Sequence, residues 1–132
     1  MDTKIGTVQA IYQAFGQGDL PTILDNVTDD VDWASEPESG TAPWHGVRHG
    51  KGELPSFFVA LAEAVEVHEF SPQAFTSSDT DVMAVIRFAI TSKATGKSAA
   101  MDLHHWWRFR DGKVCFYRGT EDTAATKEIL AG

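Results

Sequence analysis

Asp111-Gly112, set between two runs of alternating apolar and polar residues, constrains this chain more than any other neighbouring pair. A two-residue hairpin turn needs positive φ at both central positions, which Asp-Gly tolerates better than most dipeptides. With those residues as the turn, Arg110 faces Lys113. A regular ladder then pairs Phe109 with Val114, Trp107 with Phe116, His105 with Arg118 and Leu103 with Thr120. Side chains alternate between sheet faces with period two. One face is therefore expected to carry Met101, Leu103, His105, Trp107, Phe109, Val114, Phe116, Arg118, Thr120 and Asp122. That is an apolar wall with a histidine, an arginine and an aspartate set into it, as in a ligand pocket.

The period before this hairpin changes once. Residues 4–16 place Ile5, Val8, Ile11, Tyr12 and Phe15 at helical spacing behind Thr3, and Gly16 and Gly18 end the helix. A shorter helix follows Asp19, with Pro21 in its first turn and Ile23, Leu24 and Val27 apolar. Asp29-Asp30 is expected to break it before a short strand at 31–35. Residues 36–50 read as a Pro/Gly loop, and a third helix is expected from about 51 to 64. From Val65 the period becomes two. A strand at 65–75 is interrupted near Pro72, and Val82, Ala84, Ile86, Phe88 and Ile90 share one face of the next. Residues 122–131 read as a short helix with Asp122 near its N-cap. Helices followed by a strand meander make an α+β pattern. A curved, mixed, mostly antiparallel sheet folded over the N-terminal helices leaves a cone whose inside is apolar.

At 132 residues the chain is read as a single domain, 1–132, large enough to bury a core without staples. Its net charge of −8, from 19 acids against 11 bases, argues against nucleic acid or an anionic membrane as partner. Cys115 is the lone cysteine, so no internal disulfide forms, and with no apparent signal or spanning segment a cytoplasmic location is expected.

The order of these elements resembles the SnoaL-like branch of the nuclear transport factor 2-like (cystatin-like α+β) superfamily. The carriers are Ile11-Tyr12-Gln13-Ala14-Phe15 through Gly18-Asp19, Asp29-Asp30-Val31-Asp32-Trp33, and Pro43-Trp44-His45-Gly46 leading to Gly50 and Phe57-Phe58. Trp107 through Ala125 completes them. The resemblance implies a ligand-binding cone and cofactor-independent acid–base chemistry of the cyclase, isomerase or hydrolase type. It equally admits members that only bind or associate. Polyketide cyclases of this kind carry an acid near the end of the last long strand, a position Asp122 matches. The pattern of ketosteroid isomerase is not met, because Ile11, Ser35 and His105 stand where its tyrosine and two acids are expected.

Two catalytic candidates follow. Asp122 is either a carboxylate at the pocket mouth or the cap of the last helix. His105 is either a core hydrogen-bonding group or the residue that orients a ligand oxygen, and Arg118 opposite it would hold it neutral. Arg118 itself either meets an anionic ligand group or pairs with an acid. Tyr12, Phe15, Trp33, Trp44, Phe58 and Trp107 are expected to line or close the cone around a small apolar molecule, with Trp44 in a loop able to cover the mouth. His45, His49 and His104 do not have the spacing of a metal site, and no metal or other cofactor is expected. On the far side of the hairpin, Trp106 opposite Tyr117 makes an aromatic pair suited to a homodimer interface.

Overall fold

A computed structural model describes residues 3–132. Helix α1 (Thr3–Gln17) and helix α2 (Leu20–Asp25) open the chain. The Asp19 side chain accepts from the Thr22 N–H at 3.2 Å, and Pro21 sits in the first turn, where its missing N–H leaves no bond unmade. Strand β1 (Val27–Ser35), strand β2 (Gly46–His49) and helix α3 (Gly50–Ala64) follow, then β3 (Val65–Ser77), β4 (Asp81–Ser92), β5 (Ser98–Arg110), β6 (Lys113–Thr120) and helix α4 (Thr123–Leu130). The six strands form one sheet in the order β2-β1-β6-β5-β4-β3. Only β1 and β6 run parallel; the other neighbours are antiparallel. The core lies between the concave face and the helices. Val8, Ile11, Leu54, Phe57 and Leu61 pack there against Val82, Ile86, Ile90 and Trp107. Among the described residues no helix is long and apolar enough to cross a membrane.

The hairpin turn forms as its sequence requires, with φ of 52° at Asp111 and 80° at Gly112 and Arg110 opposite Lys113. The five apolar residues of β4 from Val82 to Ile90 are all buried on one face. Strand β3 shifts register twice, after Val67 and after Pro72, where the proline has no N–H for the ladder.

Three local expectations need correction. Asp29-Asp30 does not break the chain: β1 already begins at Val27, which pairs with Val114 instead of ending helix α2. Both aspartates point outward, and Asp30 meets Arg110 at 2.6 Å. The loop at 36–50 contains β2, an edge strand made by pairing Gly46–His49 with Ser35–Asp32. The third correction decides the site. The β5–β6 ladder is not regular, because Phe109 faces Val114 but Arg108 faces Phe116, leaving Cys115 as an extra residue. Such a bulge bends the strand and inverts the alternation beyond it. Trp107 therefore faces Tyr117 and His105 faces Gly119, while Trp106 faces Arg118.

Candidate functional site

The bulge brings Tyr117, Gly119 and then Glu121 to the inside of the cone, where they join side chains from every layer. Helix α1 contributes Tyr12 and Phe15, α3 contributes Phe57 and Phe58, β1 contributes Trp33, and β5 contributes His105 and Trp107. Trp44 comes from the loop before β2. Together they enclose a narrow chamber with a volume of about 60 Å³. At ~10–15 Å³ per water centre that is room for roughly four to six waters, or for the core of a small ligand.

The chamber's polar heart is a buried triad. Trp107 Nε1 donates to the Tyr12 hydroxyl at 3.2 Å, and that hydroxyl lies 2.7 Å from His105 Nδ1. Burial pushes the Tyr12 phenol well above its ordinary value, against the smaller opposing effect of the Trp107 bond. Burial, helped by the neighbouring His104, lowers the His105 imidazole to about 3. A protonated phenol and a neutral imidazole fit one another: the Tyr12 O–H donates to Nδ1, and the ring's own proton sits on Nε2. Tyr12 is the imidazole's one hydrogen-bond partner among the described residues, which leaves Nε2–H for a ligand.

Gly119 explains how a second phenol fits beside this triad. A Cβ at that position would lie 2.3 Å from the Tyr117 hydroxyl and 3.3 Å from His105 Cδ2. Only the absence of a side chain lets Tyr117 reach across the strand towards the imidazole edge. Tyr117 stacks on Trp33 with ring centres 4.0 Å apart, and burial holds its hydroxyl well above the ordinary value.

Glu121 lies just beyond β6, where β6, α4 and the loop before β2 meet. Its Oε1 accepts from Trp44 Nε1 at 2.8 Å and lies 3.0 Å from His45 Nε2, while its Oε2 accepts from the Thr126 hydroxyl. The Ala42 N–H donates to His45 Nδ1 at 3.2 Å, so the imidazole proton is on Nε2, facing Glu121. Burial acts to raise the Glu121 carboxyl, but bonds from His45, Thr126 and Trp44 outweigh it and keep the group below its ordinary range. Glu121 is thus an ionised clasp holding Trp44 over the chamber. Sequence reasoning missed it in favour of Asp122. Only the bulge at Cys115 separates the two readings, and no local signal marked it.

The structure gathers Tyr12, Phe15, Trp33, Trp44, Phe58, His105 and Trp107 in the chamber wall. It does not bring Asp122 or Arg118 there. Asp122 is exposed and caps α4, its side chain accepting from the Ala125 N–H at 3.0 Å. Arg118 lies on the outer sheet face, with Nη1 and Nη2 at 3.2 and 3.1 Å from the two carboxylate oxygens of Asp32 and its guanidinium 4.3 Å above the Phe116 ring. It therefore cannot be what keeps His105 neutral; burial does that. Tyr117 is buried inside rather than paired with Trp106, whose neighbours outside are Phe116, at 4.8 Å between ring centres, and Asp81. Among the described residues no three His, Cys, Asp or Glu side chains are placed to hold a metal ion.

The sequence pattern of the SnoaL-like domain matches residues 8–117. The chain belongs to the SnoaL-like family. Its cone is that of nuclear transport factor 2-like proteins. An NTF2-like protein of unknown function from Burkholderia pseudomallei is 26% identical over 100% of both chains, with a TM-score of 0.91. An NTF2-like protein from Burkholderia xenovorans is 23% identical over 98% of this chain and 96% of its own, with a TM-score of 0.87. TerC, co-crystallised with polyporic acid, is 24% identical over 98% of each chain, with a TM-score of 0.85. No curated protein matches the chain in sequence. In this SnoaL-like chain Tyr12, His105 and Tyr117 are among the polar groups that line the cone.

Proposed function

We propose that this SnoaL-like protein binds a small, largely apolar molecule inside the cone and holds one of its oxygens at His105. The observation that carries this reading is the buried Tyr12–His105 bond at 2.7 Å in an otherwise aromatic wall. Tyr12 fixes the imidazole's tautomer, so a donor on Nε2 is already oriented before any ligand arrives, and little ordering entropy remains to be lost. TerC, of the same fold, was co-crystallised with polyporic acid. Phenol is a minimal probe, and the tryptophans of the wall provide the signal. It is expected to perturb their fluorescence saturably, with His105→Phe weakening binding by roughly 3- to 10-fold, the worth of one neutral hydrogen bond. Absence of saturable binding, with no small molecule carried through native purification in mass spectra, would overturn the reading.

A second reading, cofactor-independent acid–base catalysis of the cyclase, isomerase or hydrolase type, draws on the shifted titration of both members of the pair. An imidazole lowered to about 3 is a weak base in the unliganded chamber. Negative charge developing on a bound oxygen beside it would strengthen it. To take the ligand's proton at Nε2, the ring would first carry its own proton on Nδ1, donated to the Tyr12 oxygen with the Tyr12 hydroxyl proton turned away. That same oxygen would then hold the imidazolium that forms. His105→Gln would abolish turnover of an identified ligand in this case while leaving the fold intact.

We further propose that the outer sheet face joins two copies of the chain. Its support is an aromatic and aliphatic strip of Trp106, Phe116 and Met83, the last 45% exposed on an otherwise charged surface.

A further inference from the structure

A second cavity lies behind the chamber, between α1, α3 and β3. It is an open groove of about 690 Å³, against about 60 Å³ for the chamber. Four side chains belong to both cavities: Phe15, Phe58, Leu61 and Phe70. They are the partition between them. Phe15 stands in the middle, 5.0 Å from Phe70 and 6.1 Å from Phe58 between ring centres, and Phe70 stands 5.2 Å from Tyr12. The three phenylalanines are only half-buried, whereas the chamber's inner wall of Trp33, Trp107 and Tyr117 is fully buried. The groove is thus one aromatic ring away from the Tyr12–His105 pair. Beyond the partition its floor continues with Val65 and Val67, the latter 39% exposed, and its charges, Glu66 and Lys93, are both on exposed side chains.

We infer that chamber and groove are one site for an elongated amphipathic ligand. Its oxygenated ring sits at His105, and an alkyl or prenyl-like tail passes the Phe15–Phe58–Phe70 partition into the groove. The inference rests on the proposed reading of the chamber and adds the class of ligand. The chamber alone is too small for more than a single ring. A groove of more than ten times its volume, sharing four wall residues with it, offers apolar surface in line with the ring. The tail would pass by an aromatic side chain of the partition turning about χ1 and χ2, and all three phenylalanines are only partly buried.

The experiment compares phenol with 4-hexylphenol by calorimetric titration of the wild-type protein and of Val67→Glu. Val67 lines the groove and is not one of the residues that line the chamber. A fully buried methylene is worth about fourfold in affinity and a partly exposed one roughly twofold. The hexyl tail is therefore expected to tighten binding by about tenfold or more. Val67→Glu should remove most of that gain while leaving phenol binding unchanged. If phenol binds and the tail adds nothing, or if Val67→Glu leaves the gain intact, the groove is not part of the site and the inference falls. If neither compound binds, the reading of the chamber falls, and the inference with it.

Discussion

His105 shows what burial does to a single residue. Its imidazole is lowered to about 3 while the unfolded chain keeps an ordinary histidine near 6.5. The native state therefore binds fewer protons than the unfolded state between those values. The stability this contributes is complete above pH ~6.5 and is lost progressively as pH falls towards 3. Between pH 7 and pH 5 the loss from His105 is expected to be about 2 kcal/mol. The carboxylate effects, Glu121 included, begin at lower pH. Urea midpoints at the two pH values measure it, and His105→Gln should flatten the dependence in that window. Gly119 is the companion case. A methyl group there would meet the Tyr117 hydroxyl at 2.3 Å, and neither the ring nor the strand can yield without disturbing the stack on Trp33. Gly119→Ala is expected to destabilise by about 1–3 kcal/mol, as overpacking generally does. The near-ultraviolet circular dichroism of the aromatic wall should change with it.

Among the elements, α4 and the β5–β6 hairpin decide what Asp122 and Glu121 do. Asp122 holds the N-terminus of α4 and faces solvent. Asp122→Ala should cost about 1 kcal/mol by urea denaturation, and Asp122→Asn only a few tenths, because the amide oxygen also accepts from the backbone. Phenol affinity should be the same in both variants. A loss of binding in Asp122→Asn without a loss of stability would return the residue to the site. The hairpin carries the larger lesson. Its turn and the faces of β4 and β5 were legible because they follow from local φ preferences and an unbroken period of two. The bulge at Cys115 was not. It responds to two neighbours at once, β5 on one side and the parallel strand β1 on the other, whose own register slips between Val27 and Asp32. Nothing within β6 distinguishes Phe116, Arg118 and Asp122 from Tyr117, Gly119 and Glu121 as the inward set. With the bulge in place, Tyr117 and Gly119 are buried inside and Arg118 meets Asp32 on the outer face.

For the whole molecule the outer face carries the testable consequence. Arg108 lies on Asp81 and Arg118 on Asp32, so the charges of that face are largely satisfied internally. Cation contacts to the rings of Trp106 and Phe116 flatten the strip between them. Sedimentation at micromolar concentration should give twice the chain mass of 14.4 kDa, and Met83→Glu should return it to the monomer without loss of stability. A wild-type monomer would refute the interface.

The sequence by itself determined the succession of helices and strands apart from the edge strand β2 and the start of β1, together with the hairpin turn, the apolar interior and the family. Each of these rests on periodicity, on φ preference at a few residues, or on a pattern spread along most of the chain. It placed Tyr12, Phe15, Trp33, Trp44, Phe58, His105 and Trp107 on the faces that line the cone. Tertiary structure alone decided that Glu121 and not Asp122 turns inward, that Arg118 lies outside, and that Tyr12 reaches His105 from 93 residues away. The Tyr12–His105 bond depends on how helix α1 lies against β5, and the placement of Glu121, Asp122 and Arg118 on the bulge in β6. A one-residue bulge reverses every side chain beyond it, and whether it forms depends on the packing of strands that are distant in sequence.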